Sequence, residues 1–359
     1  MNNEKRTVAL IYGGRGHERD VSVMGANFAY SLIKDLYRII PVYIAENGRW
    51  LVPSKNEICP APCADFSHFH SLVLKFGRIA FPFYDGYKSC LIGEDGDKLS
   101  IDVAVPLLHG DFGEDGTVQG ALSNAKLRYV GCDVYTGSLC MDKLYTKMLA
   151  EAVGIRVARY VRTDTGDNSD PCALISEAEG VLGYPMFVKP VRSGSSVGAS
   201  VVNDRAELER ALAEADATGG GAIIEECVNV AAEAECAFYK TKNKKIVSNV
   251  GGILTDSGFY DYDSKYLNTS RVNVRTRLDL PGGTRERIRE YTEVLAKLLR
   301  TRHLSRFDYF IDKSGEVIFN EVNTFPGFTE ASLWPRLIED SGLSPSDALR
   351  GLIEDACAE

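Results

Sequence analysis

The 359-residue sequence has no apolar run approaching the length of a bilayer crossing, so no membrane-spanning helix is expected. It also lacks any Cys-x-x-Cys pair. Its nine cysteines are odd in number and scattered, with Cys59 and Cys63 the closest two, which argues against both a disulfide framework and a zinc site. Reduced thiols in a cytoplasmic protein are the simpler expectation. Positive charge is in short supply: 41 Lys and Arg face 50 Asp and Glu, for a net charge of −9. That balance argues against a nucleic-acid footprint and against an anionic membrane surface, while leaving room for a local basic pocket. The stretch Met1–Arg6 is polar and lacks the apolar core of a secretory signal.

What is present is a chain with 45% hydrophobic residues, enough for two or three cores. Thr7–Tyr12 (TVALIY) reads as a buried strand that meets Gly13-Gly14 and then a helical stretch through Ile33. Ile39–Ile44 and Asp102–Leu107 read as further strands, and residues 53–70 as an irregular surface excursion. Met141–Val153 has helical periodicity that Gly154 ends. Met186–Lys189, Ala222–Glu225 and Ala237–Tyr239 read as strands, and Thr284–Thr301 as an amphipathic helix. Arg306–Ile311 and Val317–Asn323 read as a hairpin around Lys313-Ser314-Gly315. Helices and strands alternate early and strands pair antiparallel late, giving an α/β unit followed by α+β units, with cuts near residues 133 and 229. The units are then 1–133, 134–229 and 230–359.

The strongest local signal is that hairpin. Side chains alternate along a strand, so Arg306 and Asp308 share one face, as do Glu321 and Asn323, while Phe307, Tyr309, Phe319 and Val322 turn to a core. Two carboxylates and an amide oxygen on one side suit Mg²⁺, or Mn²⁺, bridging nucleotide phosphates. Arg306 beside them suits an anionic transition state. A solvent-facing strand pair with a surface ion pair is the plain alternative. Phe187-Val188-Lys189-Pro190 ends a strand with a lysine, and Gly194-Ser195-Ser196-Val197-Gly198 follows. Backbone N–H groups of such a loop can cradle phosphate oxygens, though a surface turn would look the same. The lysine precedes the glycines, so this is not a Walker A loop. Lys143, Glu225, Glu226 and Glu233 are candidate nucleotide contacts that, taken singly, read as solvated charges. His17, His68, His70 and His303 lack a ligand spacing and read as ordinary polar residues. Trp50 and Trp334 read as packing residues.

Taken together, the motifs GGRGHERDVS (13–22), LHGDFGEDGTVQG (108–120), CMDK (140–143), KPVRSGSSVG (189–198), GFYDYDSKY (258–266) and RFDYF followed by NEVNTFPGFT resemble those of the D-alanine–D-alanine ligase family, in order and over nearly the whole chain. The resemblance implies a Rossmann-like N-terminal domain followed by a two-part ATP-grasp fold. It also implies ATP as co-substrate, two Mg²⁺ or Mn²⁺ ions, a homodimer, and a role in peptidoglycan precursor synthesis. By position, Asp308, Glu321 and Asn323 match magnesium ligands. Lys143, Lys189, Ser196, Glu225, Glu226, Val228, Glu233, Phe259 and Asn320 match the nucleotide site, and Lys265 a lysine reaching the γ-phosphate. Glu18 matches the acid that receives the first substrate's ammonium, with Ser195 and Tyr266 as its partners and His109 lining the same site. Arg306 and the Gly327 backbone match oxyanion donors, and Ser332 and Leu333 line the second substrate site.

Three departures from the family pattern stand out. Gly16 replaces the usual serine. Asn229–Glu233 lacks the usual glycine and is one residue longer, which leaves Glu235 as a rival ribose contact. Glu330 stands where a small residue is usual. The chemistry also requires exclusion of water from an acyl phosphate, so Gly258–Tyr266, with Tyr260, Tyr262 and Tyr266, is the expected lid. Apolar Leu333 favours D-alanine as second substrate, with D-serine as the alternative. Another carboxylate–amine ligase of the same superfamily, or a nucleotide-binding regulatory protein of that fold, are the remaining readings.

Overall fold

The computed structural model describes residues 5–53, 66–163, 171–194, 197–217, 220–254 and 273–358. The first unit runs β1 (Thr7–Gly13), α1 (Arg19–Ile33), β2 (Arg38–Ile44), β3 (Trp50–Val52), α2 (Phe66–Phe76), β4 (Arg78–Tyr84), β5 (Ser89–Gly93), β6 (Lys98–Ser100), β7 (Val103–Pro106) and α3 (Thr117–Asn124). Its sheet has the order β6-β5-β4-β3-β2-β1-β7. β1 pairs in parallel with β2 and β7, and β3 to β6 extend the sheet antiparallel. β1 is apolar on both faces because a central parallel strand is covered on both. Gly13 ends it at φ +94°, where a Cβ would fall 2.4 Å from the Ile44 carbonyl oxygen, so only glycine lets the chain turn there. α1 buries Val21, Ser22, Gly25, Ala26, Ala29 and Ile33, one stripe of a helix.

The second stretch of chain, 134–226, contains α4 (Val134–Met141), α5 (Lys143–Ala152), β8 (Tyr160–Arg162), α6 (Pro171–Val181), β9 (Met186–Pro190), β10 (Ser200–Val202), α7 (Arg205–Ala217) and β11 (Ala222–Glu226). Its sheet is β10-β9-β11-β8, antiparallel throughout. The third contains β12 (Val230–Lys240), β13 (Lys245–Leu254), β14 (Asn273–Arg275), α8 (Thr284–Leu298), β15 (His303–Asp312), β16 (Val317–Asn323), α9 (Leu333–Asp340) and α10 (Pro345–Ala358), with strand order β14-β13-β12-β15-β16. α8 covers one face, over Phe307, Tyr309, Phe319 and Val322, all buried. On the other face Leu304 lies in a core shared with α9, α10 and the first sheet. Further along β15, that same face becomes Arg306 and Asp308.

Three expectations are corrected. The excursion expected over 53–70 gives way to α2 from Phe66, while its residues 54–65 lie outside the described set. The helix expected over Met141–Val153 starts two residues later, at Lys143, because Asp142 leaves the helical conformation and caps α5 by accepting from the Leu144 and Tyr145 amides at 3.1 Å each. The strand expected over Ala237–Tyr239 is only part of the longer β12. No helix among the described residues is long and apolar enough to cross a membrane.

Candidate active site

The late hairpin forms with a detail that strict alternation misses. Asp308 faces Glu321 and Arg306 faces Asn323, but Tyr309 faces Phe319, so Asn320 is the extra residue of a β-bulge. The bulge lets Phe319 and Val322 both enter the core, and it aims Asn320 and Glu321 together into the cleft. Arg306 holds Asp308 through both ends of its guanidinium, Nε to Oδ1 at 2.7 Å and Nη2 to Oδ2 at 2.6 Å. The amide of Asn323 donates to Asp308 Oδ2 at 3.0 Å. Glu235, which pairs with Asp308 across β12, lies 2.8 Å from Arg306 Nε. Glu235 thus meets the arginine. Its sequence neighbour on the same face, Glu233, is half-buried. Within the 229–233 segment, Ala231 is the unpaired residue of a bulge between Val230 and Ala232 against β15.

Facing this hairpin is a buried cluster of lysines. Lys143 sits at the N-terminus of α5, where a cation opposes the helix dipole. Its ammonium donates to the Ser193 carbonyl and lies 3.7 Å from Glu321 Oε2. Burial lowers its pKa. Lys189 donates to Asn320 Oδ1 at 3.1 Å and lies 3.1 Å from Glu225 Oε2. Lys147, which the sequence reading did not single out, lies 2.9 Å from Glu225 Oε1. Burial is the largest influence on Glu225 and pushes its pKa up, yet the two lysines together bring it below the usual range.

Glu225 and Glu226 part company because neighbouring side chains on β11 point to opposite faces. Glu225 joins the lysines. Glu226 instead accepts from the Arg159 amide at 3.0 Å and from Arg159 Nε at 2.7 Å. With Cys227, Val228, Arg156 and Ile318 it lines a separate cleft of about 260 Å³. The side chain of Glu226 is therefore not brought to the lysine cluster.

Glu18 occupies the N-cap position of α1 without capping it, which leaves its carboxylate for other contacts. That carboxylate packs over two glycines. A Cβ on Gly110 would fall 2.7 Å from Glu18 Oε2, and one on Gly194 would fall 3.1 Å from it. The acid is thus at the start of the serine loop, as the motifs imply, although Ser195 and Ser196 lie outside the described residues, as do Phe259, Lys265 and Tyr266 and the whole expected lid. His109 is buried nearby. Its Nδ1 lies 3.0 Å from the Phe325 carbonyl oxygen, so Nδ1 carries the proton. Nε2 is buried without a hydrogen-bond partner among the described residues, and burial lowers the ring's pKa. This combination presents a bare nitrogen to the site. Glu114 accepts from the Gly110 and Phe325 amides at 3.0 and 2.8 Å, and burial pushes its pKa up to about 7. The Phe325 carbonyl that His109 meets lies two residues past β16, so the loop after β7 adjoins the end of the hairpin.

On the far side, Ser332 opens α9, and its hydroxyl lies 2.8 Å from Thr329 Oγ1 and accepts from the Thr329 amide at 3.0 Å. A Cβ on Gly327 would fall 3.0 Å from that hydroxyl, so Gly327 and Ser332 are neighbours. Leu333 is 6% exposed and belongs to the core below. Glu330 is exposed. His303 is not the ordinary polar residue expected. It is 1% exposed and accepts from the Gly131 amide at its Nδ1 at 2.9 Å, tying β15 to the end of the first unit. Trp334 packs as expected, fully buried, with its indole N–H at 3.1 Å from the Ser305 carbonyl oxygen.

Residues 7–132 match the sequence profile described as the D-ala D-ala ligase N-terminus, and residues 149–354 that of the D-ala D-ala ligase C-terminus. A D-alanine–D-alanine ligase of Chlorobium phaeovibrioides is 37% identical over 94% of this chain and 93% of its own length. One of Enterococcus hirae is 34% identical over 97% and 95%. Among solved structures, the VanG D-Ala:D-Ser ligase of Enterococcus faecalis superposes with a TM-score of 0.85 at 31% identity, covering 98% of this chain and 100% of its own. The D-alanine–D-alanine ligase of Coxiella burnetii superposes with a TM-score of 0.83 at 26% identity, covering 99% and 94%.

Proposed function

The chain belongs to the D-alanine–D-alanine ligase family, and we propose that it joins two D-alanines in an ADP-forming reaction that passes through a D-alanyl phosphate. The observation that carries this reading is Glu321, which faces Asp308 on the hairpin and lies 3.7 Å from Lys143 of the lysine cluster. A nucleotide polyphosphate between those elements would meet Lys143 and Lys189 on one side and the acids on the other. Asp308, Glu321 and Asn323 offer oxygen ligands only, from adjacent positions of one sheet face, and so fit a hard divalent cation such as Mg²⁺ or Mn²⁺. Such ions, of which two are expected, neutralise phosphate oxygens when bound. The second and third sheets are assigned to the two halves of an ATP-grasp fold, with units 1–133, 134–229 and 230–359.

A carboxylate oxygen is not a leaving group at neutral pH, and phosphorylation makes it one. The carboxylate oxygen of the first D-alanine attacks the γ-phosphorus, and ADP leaves with the electrons of the broken P–O bond. Lys143 and Lys189 balance the charge of the polyphosphate, which is most of what phosphoryl transfer asks of a protein. Glu18 receives the ammonium of the first D-alanine, and neutral His109 offers Nε2 beside it. The neutral amine of the second D-alanine then attacks the acyl carbon, inorganic phosphate departs, and the amine proton is lost. The Arg306 guanidinium and the Gly327 N–H stabilise the oxyanion that forms. The dipeptide product is a building block for peptidoglycan precursors, and a cytoplasmic homodimer is the expected form. The route is tested with D-alanine carrying ¹⁸O in its carboxylate. One labelled oxygen should appear in inorganic phosphate for each dipeptide formed, and unlabelled phosphate would refute the acyl-phosphate step.

A further inference from the structure

Lys147 lies four residues after Lys143, on the same face of α5. Its side chain is 1% exposed, and among the described residues its one ion pair is with Glu225 Oε1 at 2.9 Å. The second oxygen of that carboxylate lies 3.1 Å from Lys189 Nζ. Burying an ammonium this deeply costs several kcal/mol before pairing, and a like charge four residues away on a helix adds to the cost. Methionine would fill a similar volume without either penalty. The charge at this position therefore calls for a role in the site.

One carboxylate between two lysines supplies that role. Facing Glu225 alone, Lys189 would be drawn into a closed ion pair and its charge cancelled. With Lys147 taking Oε1, Glu225 still orients Lys189 through Oε2, and Asn320 Oδ1 orients it from the other side at 3.1 Å. Counting these charges, two lysines and one carboxylate leave one positive charge for the cleft. We propose that Lys147 is a positioning residue that shares Glu225 with Lys189, so that Lys189 is fixed in place yet stays cationic toward a nucleotide polyphosphate.

The inference rests on the reading of Lys189 as a phosphate contact, so the test carries a control for each. ADP and adenosine are titrated, in the presence of Mg²⁺, against full-length wild type, K147M, K147R and K189M. K189M should lose at least tenfold in ADP affinity with adenosine within twofold of wild type. K147M should show the same ADP-selective loss, and K147R should recover most of it. Equal losses for ADP and adenosine in K147M, or no loss, with K189M behaving as expected, would make Lys147 a structural residue and overturn the proposal. No ADP-selective loss in K189M would remove the phosphate reading itself and the proposal with it. If K147M is unstable, K147M/E225Q leaves no unpaired buried carboxylate. Its one lysine and no carboxylate restore the wild type's count of one positive charge, so it should bind ADP within tenfold of wild type, and an ADP-selective loss as large as that of K189M would overturn the proposal.

Discussion

The packing of Glu18 against two glycines makes a graded perturbation possible. Gly194 has ordinary backbone angles, so Gly194→Ala adds only a methyl group, 3.1 Å from Glu18 Oε2. That separation is tighter than normal contact, and the carboxylate must retreat by a few tenths of an ångström. Gly110→Ala adds a methyl at 2.7 Å and places alanine at φ +63°, which costs a further ~1–2 kcal/mol of backbone strain. A charge-assisted hydrogen bond is worth ~1.5–3 kcal/mol. Misplacing the acid proposed to receive the first D-alanine's ammonium should therefore reduce turnover per first-site binding by ~10- to 150-fold in Gly194→Ala. Gly110→Ala should be worse and less stable. The assay is initial rate over a wide D-alanine range at saturating ATP, fitted for two D-alanine constants, with KM for ATP as internal control. The first-site constant should rise while KM for ATP stays within twofold. A Gly194→Ala protein with an unchanged first-site constant, or with its defect in ATP binding instead, would refute the placement of Glu18.

Three further outcomes follow from the geometry. Asp308→Ala or Glu321→Ala should abolish ligation while thermal unfolding stays cooperative, and near-normal turnover in either would remove the cation site from the account. Glu114, whose carboxyl is raised from 4.5 to about 7 by burial, binds more protons folded than unfolded between those values, so its contribution to stability is full below about 4.5 and is lost as pH rises through about 7. Glu114→Gln should flatten that part of the stability–pH curve, by ~3 kcal/mol at most, as followed by thermal melts from pH 4.5 to 8. Glu235→Gln should weaken the hold on Arg306 and lower kcat more than KM for ATP, whereas a rise in KM for ATP alone would favour a ribose contact for this acid.

Much of the site was legible because strand alternation is a rigid rule. Arg306 with Asp308, and Phe307 with Tyr309, could be sorted to their faces from spacing alone. The bulge at Asn320 was not read from the sequence, although Phe319 and Val322, three positions apart, cannot share one face of a regular strand. The same rule, applied to Glu225-Glu226, would have separated the pair, had they been treated as consecutive strand positions. Lys147 had a signal as well, its four-residue spacing from Lys143. A lysine in an amphipathic helix ordinarily reads as solvated, and only the burial of Lys147 beside Glu225 of β11 shows otherwise. The antiparallel extension β3 to β6 was illegible because its strands are short and carry exposed residues such as Phe81 and Phe83 on one face.

The central claim is tested most directly by product identification. The protein is incubated with ATP, Mg²⁺ and an equimolar mixture of D-alanine, D-serine and D-lactate, and the products are separated and weighed by mass spectrometry alongside ADP and phosphate. D-alanyl-D-alanine should dominate, with one ADP and one phosphate released per dipeptide. A dominant D-alanyl-D-serine, or no ADP release with any of the three acceptors, would contradict the account.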